Sequence, residues 1–208
     1  MVKLLLTSAG LTHRDIVARM RELLIGLDNK KVGVLYTVRN PGDECWLKQQ
    51  EQEMRELGID YEMVNISIER NIANELSDFG VYYVTGGNTF YILDQLRRTG
   101  IDKLLLDRIS SGCVYVGLSA GSIIAGPDIE VAGFGIGADE NDINLTDLSG
   151  LGWVDVYVWP HYLLSDGEDL RRFYQQKQKM VVGLTDEQAI LVDGEQMRVI
   201  GAAGGIIL

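Results

Sequence analysis

Cysteine is scarce in this chain: Cys45 and Cys113 are the only two in 208 residues, and their spacing matches no metal-ligand pattern. Neither a disulfide framework nor a structural zinc is therefore expected, and Cys113 reads as a small buried residue. Histidine is as scarce, with only His13 and His161. Any imidazole base has just two possible positions. Positive charge is also in deficit, since 19 Lys and Arg face 30 Asp and Glu for a net charge of −11. Such a chain repels nucleic-acid phosphates and anionic membrane surfaces, and a soluble enzyme fits better. No apolar run approaches a membrane span, and the stretch Met1 to Thr7 is too short for a signal peptide. A cytoplasmic protein is expected, as a monomer or homodimer. Repeats, low-complexity linkers, G-x-G-x-x-G, a P-loop lysine and the EF-hand pattern are all missing. That leaves one domain over residues 1–208, with no cofactor and no metal.

What the chain does have is alternation of strand and helix. Apolar runs at Lys3 to Thr7, Lys31 to Tyr36, Asp60 to Val64, Val81 to Thr85 and Val114 to Leu118 read as strands. Between them, 3.6-residue periodicity predicts helices from about Thr12 to Leu27, up to Leu57 after a turn at Asn40 to Asp43, over Glu69 to Ser77, and on to Arg98 and Ser110. Continuous apolar strands separated by helices indicate a largely parallel sheet covered on both faces. Residues 127–152 are rich in Gly, Asp and Asn, including Asp128, Glu130, Asp139, Glu140, Asp142 and Asp147, and read as irregular structure with room for a hairpin. After them come a strand at Val154 to Trp159, a helix at about Asp166 to Met180, and short strands at 181–184, 189–192 and 196–200. The fold class is α/β with a C-terminal β-hairpin.

The sequence is organised around Gly117-Leu118-Ser119-Ala120-Gly121. A G-x-S-x-G that follows a strand and opens a helix is a nucleophile elbow, in which the glycines let neighbouring chain pass a strained serine. Ser119 is the candidate nucleophile. Gly86-Gly87 ends another strand at the sheet's carboxyl edge, where open α/β sheets bind their ligands. Its amides could complete an oxyanion hole.

A serine attacks only when a base takes its proton. His161 follows a strand and Pro160, a loop position where catalytic groups are usually mounted, while His13 resembles a helix cap. The carboxylate that would orient the base remains open between Asp139, Asp142 and Asp155 on one side of His161 and Asp186 or Glu187 on the other.

Gly86-Gly87-Asn88-Thr89-Phe90, the Ser119 elbow, Pro160-His161-Tyr162 and the turn around Asp186 together resemble the peptidase E family of serine peptidases, relatives of cyanophycinase. The likeness spans almost the whole chain. It implies a fold akin to class I glutamine amidotransferases, with Ser119 as nucleophile, His161 as base, and the amides of Gly87 and Ala120 as oxyanion donors. It also implies an acid at the Asp186 position, where the family usually carries Glu, with Glu187 adjacent. Asn88 and Arg171 are the candidate substrate contacts. Leu170 stands where the family's substrate-binding arginine is expected, and Arg171 is one position away, about 100° around a helix. The expected activity is a dipeptidase-like serine peptidase with altered specificity at an N-terminal aspartate. A serine esterase or a catalytically silent binding protein of the same fold are the alternatives.

Overall fold

The computed structural model describes residues 2–39, 47–67, 72–76 and 78–208. The expected turn at Asn40 to Asp43, the start of the Glu69 helix and Cys45 lie outside them. Three strands form the middle of a seven-stranded sheet: β1 (Lys3–Thr7), β4 (Val81–Val84) and β5 (Val114–Leu118). Their side chains are buried on alternate faces. Leu4, Leu6, Tyr82, Val84 and Tyr115 enter one core, whereas Leu5, Val81, Tyr83, Val114 and Val116 enter the other. Burial on both faces is what wrote these strands as unbroken apolar runs. The sheet continues through β2 (Val32–Tyr36) to an edge at β3 (Tyr61–Asn65), all parallel. On the other flank of β1, β8 (Gln188–Asp193) and β9 (Gln196–Gly201) are antiparallel and form the C-terminal hairpin.

The helices begin and end for local reasons. Helix α1 (Arg14–Leu24) buries Ile16, Met20 and Leu23 along one stripe, and the His13 imidazole accepts the N–H of Asp15 as its cap. It is shorter than the periodicity predicts at both ends, because His13 caps it and Gly26 turns the chain at φ 85°. Helices α2 (Leu47–Leu57), α3 (Thr89–Arg98) and α4 (Ile101–Ser110) flank the sheet, while α5 (Ala120–Ile123) is a single short turn after β5. Helix α6 (Gly167–Lys177) stops at Gln178, which adopts φ 52°.

A second, three-stranded sheet holds β6 (Tyr157–Trp159), β7 (Val181–Gly183) and β10 (Ile206–Ile207). Strand β6 is half the length expected, since Trp153 and Val154 donate to the Ala125 carbonyl rather than to a strand. The acidic segment contains one isolated bridge, Asp128 to Ser149, in place of a hairpin. Among the described residues no helix is long and apolar enough to cross a membrane, and no three potential metal ligands cluster.

Strand register fixes what emerges at the carboxyl edge. Thr7 pairs with Leu118 and Val84 with Gly117, so Ser8, Gly86-Gly87 and Ser119 leave the central sheet side by side. Trp159 pairs with Gly183, which brings out Pro160-His161 and Leu184 to Asp186 together. Two sheets thus deliver their chain ends to one crevice.

Candidate active site

Ser119 is held in a backbone conformation that side chains rarely adopt, φ 50° and ψ −108°. Close packing enforces it. A Cβ on Gly117 would lie 2.6 Å from the Gly121 carbonyl carbon, and one on Gly121 only 2.2 Å from the Val84 oxygen. Ser119 N–H donates to Thr7 O at 3.0 Å, and the Ser122 hydroxyl, with one proton to share, lies 2.7 and 2.9 Å from the carbonyl oxygens of Thr7 and Gly117. From beneath, the Tyr115 phenol donates to Gly121 O at 2.6 Å. Burial pushes that phenol well above its ordinary titration range, so it remains a donor. We expect Gly121→Ala to cost about 3 kcal/mol, since backbone must move to admit the methyl. A thermal midpoint lowered by about 6–12 °C, read by circular dichroism, checks this.

The Ser119 hydroxyl lies 2.9 Å from Nε2 of His161, whose Nδ1 lies 2.6 Å from Oδ1 of Asp186. With Nδ1 protonated, His161 donates to Asp186 and accepts from Ser119, the arrangement that lets an imidazole draw off a hydroxyl proton. Both side chains are open to solvent, His161 at 52% and Asp186 at 63% exposure. Gly87, at φ 134°, lines the same cleft as Ser119, and a Cβ on neighbouring Gly86 would sit 3.4 Å from the Ser119 Cβ. The N–H groups of Gly87 and Ala120 donate to no other group among the described residues. Gly87 belongs to the cleft lining, and Ala120 directly follows Ser119.

The sequence profile described as peptidase family S51 matches residues 4–200. The chain belongs to that family. By membership it is a peptidase, and its fold carries the family's likeness through known relatives. It is 29% identical to an uncharacterised peptidase of Listeria monocytogenes over 203 residues, covering 95% of this chain and 97% of that protein. It is also 29% identical to peptidase E of Streptomyces coelicolor over 134 residues, 58% of this chain and 52% of the relative. A crystal structure of a candidate peptidase E protein from Listeria monocytogenes EGD-e superposes with a TM-score of 0.80 at 28% identity, over 98% of this chain and 100% of that one.

The other sequence candidates fall in distinct places. Asp139 accepts from both the N–H and the hydroxyl of Thr89, at 2.8 and 2.6 Å, which docks the acidic loop onto the start of α3. Asp142 pairs with Arg39, whose hydrogen bond holds its carboxyl below the usual range, and Asp155 pairs with Lys179. Among the described residues none of the three hydrogen-bonds to His161, although Asp139 lines the same cleft. Glu187 is exposed and uses its backbone carbonyl to accept from Ala202. Asn88 caps α3 by accepting from Tyr91 N–H at 3.0 Å and donates to Glu140 O at 2.9 Å. The Arg171 guanidinium turns back to the Gly167 carbonyl, and Leu170 is buried, so neither lines the cleft.

The cleft beside Ser119 and His161 has a volume of about 90 Å³, with walls from Ile123, Val131, Phe134 and Trp159 and, among the described residues, one charged lining group, Asp139. One wall is braced from behind. Lys177 reaches Asp128 and Glu130 at 3.0 and 2.8 Å, just ahead of Val131. Burial works against the Lys177 charge, but its bonds to the two carboxylates outweigh that and raise its titration. Sequence reasoning missed these wall residues, and also Ser8 and Thr12. Position was the available signal for Ser8, which directly follows a central strand at the edge that carries the elbow.

Proposed function

We propose that the protein is a serine peptidase that cleaves short peptides through an acyl-enzyme. The observation that carries this reading is the unbroken chain from Ser119 Oγ through His161 to Asp186, with the serine on a strained elbow. Ser119 Oγ attacks the scissile carbonyl carbon while His161 Nε2 takes its proton. The amides of Gly87 and Ala120 hold the resulting oxyanion. His161 then gives its proton to the departing amine as the carbon–nitrogen bond breaks, leaving the acyl group on Ser119. Water, deprotonated by the same imidazole, attacks that ester and frees the serine. Throughout, Asp186 keeps the imidazole in one tautomer and balances its positive charge.

The small cleft suits a short acyl residue, and its charge argues against an acidic one. An N-terminal aspartate would set its carboxylate against Asp139, a repulsion on the order of 1.4 kcal/mol or tenfold in rate. Mass-spectrometric turnover of a dipeptide and tripeptide panel tests both points. Peptides with small neutral first residues should be cleaved at least about tenfold faster than their Asp-Xaa counterparts. Preferred cleavage of Asp-Xaa would overturn the specificity, and hydrolysis of simple acyl esters with no peptide cleavage would replace the peptidase by an esterase.

A further inference from the structure

We propose that Ser8 is a positioning residue that locks the base and the acid of this site to the same strand end as the nucleophile. The proposal rests on the serine-peptidase reading above. Ser8 is fully buried, and three chain segments meet at its hydroxyl. The oxygen accepts the backbone N–H of His161 at 2.7 Å and lies 3.3 Å from both the Leu184 carbonyl and Oδ1 of Asp186. A hydroxyl has one proton to give and two lone pairs. Its two acceptors both belong to the segment that delivers Asp186, and one of them is the oxygen that His161 uses.

The site needs such a clamp. His161 has φ 56°, a left-handed conformation that costs a non-glycine residue about 1–2 kcal/mol and persists only where neighbours over-determine it. Packing cannot supply that hold on the side chains of His161 and Asp186, which are more than half exposed. Hydrogen bonds to β1 and the residues after it supply it instead. Thr7 O accepts from Ser119 N–H, Ser8 Oγ accepts from His161 N–H, and the Thr12 hydroxyl donates to Asp186 O at 2.6 Å. Ser8 is the member of this set that touches both base and acid. A displacement of about 1 Å at a reacting group costs on the order of 100-fold in rate.

The test measures the rate of fluorophosphonate labelling at Ser119 against pH for wild type, Ser8→Ala, Ser8→Cys and His161→Ala, with near-ultraviolet circular dichroism and a melting curve on each. Ser8→Ala should label about 10- to 100-fold more slowly. Its acid limb should move to higher pH, because Asp186 without that donor presents more negative charge to the imidazolium. A lower melting temperature with wild-type labelling and an unmoved limb would reduce Ser8 to a structural residue and overturn the proposal. If Ser8→Ala does not fold, Ser8→Cys carries the test, since a thiol of similar size is a weaker donor and acceptor. A threefold or greater loss with a displaced limb is then expected, and wild-type behaviour overturns it. Wild-type protein that takes no label at Ser119, or labels equally in His161→Ala, would instead sink the serine-peptidase reading, and the role of Ser8 with it.

Discussion

Ser119→Ala is expected to lower kcat for peptide cleavage by at least about 10³-fold and by up to about 10⁶-fold, the range seen when a triad loses its nucleophile. Alanine keeps the elbow's Cβ and removes only the atom that attacks. Substrate affinity should therefore change by no more than a few fold. Product formation followed by mass spectrometry on the best panel peptide reads the loss. Near-wild-type turnover by the alanine variant would remove Ser119 from the chemistry and leave the hydrogen-bonded chain without its proposed use.

The second large effect separates two adjacent carboxylates. Asp186→Asn should drop kcat by about 10⁴-fold, because an amide facing Nδ1 permits the wrong imidazole tautomer and cannot balance an imidazolium. Glu187→Gln should stay within about threefold of wild type, in the range of substitutions that touch no reacting group. The contrast follows from geometry: Asp186 Oδ1 stands 2.6 Å from His161 Nδ1, whereas among the described residues Glu187 bonds through its backbone carbonyl. Steady-state kinetics on the same peptide decides it. A greater loss for Glu187→Gln than for Asp186→Asn would reverse the assignment.

The central sheet was legible because strands buried on both faces write continuous apolar runs, as in Val114 to Leu118 and Val81 to Val84. The Ser119 elbow was legible because steric demand restricts its neighbours to glycine, and that demand is local in sequence. His161 stood out through scarcity, as one of two histidines. What resisted reading depends on partners far along the chain. Whether residue 186 or 187 faces the imidazole is set by the pairing of Trp159 with Gly183 in a separate sheet, which no local pattern announces. Val154 and Val156 are buried like strand residues, yet the Ala125 carbonyl takes the N–H groups of Trp153 and Val154 and keeps β6 short. Strand β10 has two residues, too few for a period to appear. Two of the cleft's walls, Val131 and Phe134, come from the irregular segment after Pro127, which is held by Asp139 accepting from Thr89 and by Lys177 pairing with Asp128 and Glu130.

The measurement that bears most directly on the account is peptide mapping after reaction with a fluorophosphonate, which reports a serine only when a base has made it nucleophilic. The account predicts one phosphonyl adduct, located on Ser119 and lost when His161 is replaced by alanine. An adduct on another serine, or none on folded protein that still cleaves peptides, would contradict it.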